Sequence, residues 1–157
     1  MQQLILVDGN CLGFAGMANP KLSTGDKDTQ ATFSVIKRIR EIVENHPASF
    51  VMVLWDGRSW RKDIYKEYKG NREQTEKQLK ERAEYYEQRK EIAEGLKLLG
   101  VTQASASNME ADDLAEIFSR KWKGDKVKLV CADKDWLQLV DKRVTWVDPI
   151  HLRSCDW

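Results

Sequence analysis

Leu4-Ile5-Leu6-Val7-Asp8-Gly9 is a run of four apolar residues that ends directly in an acid and a glycine. The same pattern returns at Val51-Met52-Val53-Leu54-Trp55-Asp56-Gly57. With Ala132 interposed, it recurs at Leu129-Val130-Cys131-Ala132-Asp133-Lys134-Asp135. These runs are almost continuously apolar rather than alternating, which fits strands covered on both faces, as in a parallel sheet. The predicted strands are Leu4 to Val7, Phe50 to Trp55, Val127 to Cys131 and, more weakly, Val144 to Val147. Helical periodicity fills the spaces between them. The expected architecture is therefore α/β, a central mostly parallel sheet flanked by helices.

Two of those helices are plain in the pattern. From Thr29 to Glu44, Ala31, Val35/Ile36, Ile39 and Ile42/Val43 recur at helical spacing, with Asp28 or Thr29 as N-cap and Pro47 as the stop. A second runs from about Glu110 to Trp122, with Leu114, Ile117, Phe118 and Trp122 on one face. The stretch from Arg58 to Gly100 is far longer than a crossover requires. Its second half, Gln74 to Leu99, is charged nearly all round and offers only Leu79, Ala83, Tyr86, Ala93 and Leu96 as an apolar stripe. It reads either as one helix of about 39 Å or as two shorter ones. On pattern alone it is a solvated hairpin or an excursion projecting over an active site.

Composition bounds the rest. The 157 residues suit one domain able to bury its own core; 41% are hydrophobic and 32% charged, as in a soluble globular chain. No apolar run approaches the roughly 20 residues of a membrane span, and the first residues do not read as a signal peptide. Three cysteines without C-x-x-C spacing exclude a disulfide framework or zinc ribbon and point to a reducing cytosol. A net charge of +1 announces no nucleic-acid binder, so any such activity must come from how charge is distributed.

Charge is distributed unevenly. If the strands are parallel, Asp8, Asp56, Asp133 and Asp135 share the carboxyl edge of the sheet, and Glu110-Ala111-Asp112-Asp113 at a helix start can face it too. Singly, Asp-Gly is an ordinary turn and Glu-Ala-Asp-Asp an ordinary helix cap. Jointly, seven carboxylates in one cleft repel one another unless cations neutralise them. Oxygen-ligated Mg²⁺ is the fitting ion, and paired ions of that kind hydrolyse phosphodiesters. No histidine or cysteine cluster suggests zinc. Beside Asp56 lies a basic segment holding Arg58, Arg61, Lys62, Lys66, Lys69 and Arg72 against Asp63 and Glu67, a net +4 in fifteen residues. Trp60, Tyr65 and Tyr68 are interleaved with these cations. Cations for phosphates and aromatic faces for bases suit unpaired nucleic acid. A solvated basic face over core aromatics is the plainer alternative.

Val7-Asp8-Gly9-Asn10, Asp56-Gly57, Tyr68-Lys69-Gly70-Asn71-Arg72, Glu110-Ala111-Asp112-Asp113 and Asp133-Lys134-Asp135-Trp136 occur in order. Together they resemble the 5′ nucleases, that is, flap endonucleases and 5′→3′ exonucleases, with bacteriophage members nearest in pattern. The resemblance covers essentially the whole chain. It implies a PIN-like α/β domain acting on DNA with a 5′ end or single-stranded flap, using Mg²⁺ or Mn²⁺, with two ions expected. By the same resemblance Asp8, Asp56, Glu110, Asp112, Asp113, Asp133 and Asp135 match the family's metal-binding acids. Lys69 matches the lysine on the scissile phosphate, Arg72 the arginine one turn further on, and Tyr68 an aromatic near the reacting nucleotide. Residues 61–100 correspond to a protruding helical arch within a single domain of residues 1–157. The catalytic set expected is Lys69, Arg72, Asp112 and Asp133. Nucleic-acid contacts are expected from Arg58, Trp60, Arg61, Lys62, Lys66, Tyr68, Lys69 and Arg72.

Two departures accompany the likeness. Ala15 stands where the family carries a basic residue, with Lys21 the nearby substitute, and the chain stops at Trp157, before the family's helix–hairpin–helix region. The expectation is an intact first metal site, a weak second one and poor duplex affinity. The protein is expected to be a monomer in the cytoplasm, or the host cytoplasm if phage-encoded, without a membrane partner. His46 reads as a helix-end residue, His151 as solvated, Cys131 as an inert core thiol, and Trp55, Trp122, Trp136 and Trp146 as packing. Competing functions are a PIN-type ribonuclease, a non-catalytic DNA-binding or protein-interaction module, and a phosphatase with an aspartate nucleophile. The last is disfavoured because no threonine follows Asp133-Lys134-Asp135.

Overall fold

The structure, a computed structural model, describes residues 1–58, 61–64 and 75–157. In chain order its elements are β1 (Gln3–Asp8), α1 (Gly9–Met17), β2 (Ser23–Thr24), β3 (Lys27–Asp28), α2 (Gln30–Asn45), β4 (Ser49–Leu54), α3 (Arg61–Ile64) and α4 (Glu76–Leu98). There follow β5 (Thr102–Ala104), α5 (Ala111–Lys121), β6 (Lys126–Val130), a 3₁₀ helix (Lys134–Leu139), β7 (Val144–Asp148) and β8 (Arg153–Cys155). The main sheet has the order β5-β4-β1-β6-β7-β8, and β2 and β3 form a separate hairpin. All neighbours in the sheet pair in parallel except the last, since β8 returns antiparallel along β7.

The apolar runs behave as their continuity predicts. Leu4 and Leu6 of β1, with Leu54, Val127 and Leu129, pack on one face of the sheet against Leu114 and Ala115 of α5 and against Trp136 and Trp146. Ile5 and Val7, with Val51 and Val53, face the other way onto Leu12 of α1, Val35 and Ile39 of α2, and Ile92 and Leu96 of α4. Alternate side chains of one strand thus enter two different cores, and each needs to be apolar. Thr29 stands at the N-cap of α2, although its hydroxyl bonds the Leu22 carbonyl instead of capping.

The long charged stretch resolves into one continuous helix. Thr75 and Gln78 form a reciprocal capping box at its start. Its buried residues are Tyr85, Gln88, Ile92 and Leu96. Of the predicted stripe only Leu96 is among them; Leu79, Ala83 and Tyr86 are exposed and Ala93 is half-buried. The pattern misled because the helix changes environment along its length. Residues 76–83 are exposed all round, whereas the second half docks through Tyr85 and Gln88, two residues with polar ends. Gln88 makes that docking specific by accepting the backbone amides of Ala31 and Thr32 at 2.9 and 3.1 Å, capping donors at the start of α2.

Candidate metal centre

The parallel register brings the carboxyl ends of β1, β4, β5, β6 and β7 to one edge of the sheet. Asp8 is the last residue of β1 and pairs with Leu54, so Asp56 lies just past it on the neighbouring strand; Val7 pairs with Val130, which precedes Asp133. The start of α5 is fastened to the same edge by Asp56, whose carboxylate accepts the Ala111 amide at 2.7 Å and the Asn10 side-chain amide at 2.9 Å. Gly57 donates its N–H to the Met109 carbonyl at 2.8 Å. A Cβ on Gly57 would overlap the Ala106 carbonyl oxygen. The glycine of Asp56-Gly57 is therefore required by close approach to the β5–α5 loop rather than by a left-handed turn.

Asp8 is buried, with one oxygen accepting the Cys11 amide at 3.0 Å and the other the Cys131 thiol at 3.2 Å. Its pKa is pushed up to about 6, chiefly by burial and further by the charges of Asp56 and Asp133, with the Cys11 and Cys131 hydrogen bonds only partly opposing this. Asp112 is likewise raised, by burial and then by Asp113, with Glu110 adding to it. Two carboxylates pressed toward protonation by burial and neighbouring acids mark an edge where acids crowd one another.

Glu110, Asp112 and Asp113 bring one oxygen each within 4.8 Å of one another, the only such trio of ligating groups among the described residues. Arg61 lies against it, 3.0 Å from Glu110 Oε2 and 3.0 Å from Asp113 Oδ1. The Asp113 carboxylate also accepts the Glu110 amide at 3.1 Å. Asp133 and Asp135 are exposed and joined by the Asp135 amide, which donates to Asp133 at 2.9 Å. The seven predicted acids thus share one edge. Three form a tight trio, Asp8 sits within the fields of Asp56 and Asp133, and Asp135 hangs on Asp133. An all-oxygen donor set with this surplus of negative charge fits a hard divalent cation.

Of the predicted nucleic-acid residues, Arg58 is exposed and paired with Asp63 at 2.5 Å, and Arg61 is turned toward the acids. Trp60, Lys66, Tyr68, Lys69 and Arg72, and the side chain of Lys62, lie outside the described residues. Lys21, the candidate substitute for the base absent at Ala15, pairs with Asp28 of the hairpin at 3.3 Å. His151 is not simply solvated, since its Nδ1 lies 2.8 Å from Asp148.

Sequence reasoning missed several residues at this edge. The Tyr85 hydroxyl donates to Asn10 Oδ1 at 2.7 Å, so α4 holds the side chain that holds Asp56. On α4, Arg82 and Arg89 flank the Tyr86 ring at 5.8 and 5.9 Å, and Arg89 lies over Trp55 at 5.1 Å. Arg89 also donates to the Asp56 carbonyl at 3.1 Å. This strip recurs at i, i+4 and i+7. Glu84, Glu87 and Glu91 occupy the opposite side of the helix, where with Asp26 and Asp28 they line a groove of about 380 Å³. The separated charge periods were the available signal.

The model of the 5′-3′ exonuclease N-terminal resolvase-like domain matches residues 3–156. The chain belongs to that family. A 5′-3′ exonuclease of Aquifex aeolicus is 32% identical over 159 residues, covering 96% of this chain and 52% of that protein. DNA polymerase I of Bacillus subtilis is 27% identical, covering 92% of this chain and 16% of the polymerase. Among solved structures, the bacteriophage T5 D15 protein co-crystallized with metal ions superposes with a TM-score of 0.82 at 26% identity, over 98% of this chain and 58% of that one. Human GEN1 in complex with Holliday junction DNA shares the fold at 15% identity and a TM-score of 0.63, over 91% of this chain and 33% of GEN1. This 5′-3′ exonuclease N-terminal domain therefore spans about half the length of the exonucleases it matches.

Proposed function

We propose that this chain is the metal-dependent catalytic portion of a 5′→3′ exonuclease and flap endonuclease that hydrolyses phosphodiester bonds in DNA carrying a 5′ end or single-stranded flap. The observation that carries this reading is the gathering of seven acids on one sheet edge, two of them forced toward protonation, in a chain of this family. Asp8, Asp56, Glu110, Asp112, Asp113, Asp133 and Asp135 would hold Mg²⁺ or Mn²⁺, with two ions expected and the second weakly held. A bound divalent cation supplies charge neutralisation, polarisation of a phosphoryl oxygen and a water of lowered pKa.

The chain's own residues do the positioning. Asp56 ties the start of α5 to α1, which keeps the trio at that helix start on the sheet edge where β1 ends in Asp8. Arg61 balances Glu110 and Asp113 and keeps their carboxylates together. Lys69 and Arg72, by their place in the family motif, would steady negative charge on the reacting phosphate. Residues 61–100 would form the arch, anchored by the docked second half of α4; exposed Arg82 and Tyr86 and half-buried Arg89 would offer cations and a ring to a single strand, while the acidic back of α4 repels it. The protein would act as a cytoplasmic monomer.

The test is cleavage of 5′-labelled flap and blunt duplex DNA with Mg²⁺ or Mn²⁺ against chelator. Metal-dependent release of short 5′ products, lost in Asp112→Asn, Asp133→Asn and Lys69→Ala with DNA binding retained in the two aspartate variants, is the expected result. Unchanged turnover in the aspartate variants would refute the site. Poor duplex affinity should appear as a shallow dependence of binding on salt, and a steep one with tight binding would overturn that part.

A further inference from the structure

We infer that Cys11 and Cys131 form an oxidant-sensitive dithiol behind the acid edge, which a hydroperoxide closes to a disulfide that disables the edge. Cys11 stands in the first turn of α1, just past Asp8, and Cys131 directly follows β6, just before Asp133. Cys11 packs against the core cluster that contains Cys131, and the Cys11 amide and the Cys131 thiol bond the two oxygens of one carboxylate, that of Asp8. The backbone confirms the juxtaposition, since the amide of Ala132, the residue after Cys131, donates to Cys11 Sγ at 3.1 Å. Cys131 is fully buried and Cys11 half-buried, so Cys11 is the sulfur an oxidant reaches. The third cysteine, Cys155, is exposed on the outer strand β8, with its sulfur 3.8 Å from the Asp156 carbonyl.

The chemistry balances with hydrogen peroxide as the oxidant. Cys11 sulfur attacks one peroxide oxygen and the O–O bond breaks, leaving a sulfenic acid and one water. Cys131 sulfur then displaces the hydroxyl, the S–S bond forms and a second water leaves. Two thiols lose two electrons and two hydrogens, and the peroxide is reduced to water. A dithiol such as dithiothreitol reverses the step.

The consequence follows from what Cys131 touches. Its thiol donates to Asp8 Oδ2 at 3.2 Å, and its sulfur accepts the Asp133 amide at 3.2 Å. A disulfide removes the S–H, so Asp8 loses a donor to one oxygen, and it draws the start of α1 toward the turn that carries Asp133. Cys131 is thus a core thiol that also positions two acids. This consequence rests on the proposed metal site; the modification itself does not.

The experiment uses the full chain, reduced and then treated with hydrogen peroxide, blocked with N-ethylmaleimide, and examined by intact mass and peptide mapping. Mn²⁺ binding is titrated by calorimetry on the same samples. Expected are a product two hydrogens lighter with a Cys11–Cys131 linkage, Mn²⁺ affinity lowered about tenfold or more, and recovery with dithiothreitol. Cys155→Ser should behave likewise, and Cys11→Ser should form no intramolecular link. Linkage through Cys155, oxidation of Cys11 without a link to Cys131, or a Cys11–Cys131 link that leaves Mn²⁺ affinity unchanged would each overturn the inference. If the reduced chain bound no Mn²⁺, the metal reading and the disabling consequence would fall together, while the mapped linkage would still decide the modification.

Discussion

Replacing Asp8 by asparagine should make the metal-free protein more stable and weaken its response to metal. Asp8 is buried and its pKa stands at about 6 against an ordinary 3.8. Between those values the native state binds more protons than the unfolded chain, so stability falls as pH rises from about 4 to about 6. Above that range the folded protein carries a penalty of about 3 kcal/mol, and near pH 4.5 the same linkage leaves about 1 kcal/mol. Asparagine mimics the protonated acid. Its oxygen can still accept the Cys11 amide, and its NH₂ can face the Cys131 sulfur. Denaturant unfolding in chelator should therefore show Asp8→Asn more stable than the parent by about 3 kcal/mol near pH 7.5 and by about 1 kcal/mol near pH 4.5. Adding Mn²⁺ should stabilise the parent and leave the variant much less affected, because a ligand that binds only the native state stabilises it by mass action. A variant equally destabilised at both pH values would refute the reasoning, since it would mean that the charge on Asp8 costs the fold nothing.

Three further outcomes are expected. Gly57→Ala should weaken Mn²⁺ binding and destabilise the fold by about 1–3 kcal/mol, because the methyl overlaps the Ala106 carbonyl in the loop leading to Glu110; calorimetry and denaturant unfolding check both. Asp148→Asn should cost about 3 kcal/mol near neutral pH by unpairing Arg153 and His151, measured by urea unfolding. Burial works to raise this acid, but its donors outweigh that and hold it well below the usual range. Its contribution is therefore full above about pH 4 and lost as pH falls further, so the gap between parent and variant should close in acid. Tyr86→Ala should weaken binding of a single-stranded oligonucleotide by about 1–2 kcal/mol, whereas Glu87→Ala on the opposite side of α4 should not, as read by fluorescence anisotropy.

The layered sheet was legible because its strands are buried on both faces and announce themselves by continuous apolar runs. The separate hairpin β2–β3 and strands β5 and β8 were not, being two or three residues long and largely exposed. Helix α1 was silent for another reason. Gly9 and Gly13 lie where a Cβ would collide with the rings of Trp55 and Tyr85, so the helix packs through its missing side chains and shows no apolar stripe. On α4 the apolar count pointed to the wrong residues because the docking face is built from Tyr85 and Gln88, whose value lies in the partners their polar ends reach. The acids themselves were readable, since strand-end position follows from sequence once the strands are placed.

What each acid does was not readable, and Asp148 shows why. It ends β7 as Asp8 ends β1, on the same edge and likewise buried. Yet it accepts from the amides of Ile150 and His151, from His151 Nδ1, and twice from Arg153. Those donors come from the tight return into β8 and leave the carboxylate charged and fully engaged. Asp8 has one amide and one thiol, two acids for neighbours, and a pKa raised instead of lowered. A strand-end aspartate is thus structural or metal-seeking according to the donors that the following loop folds back onto it. In β7–β8 the loop supplies them. In β1–α1 the chain enters a helix whose first turn can spare only Cys11, and the unmet charge is left facing the edge where Asp56, Asp133 and the α5 trio converge.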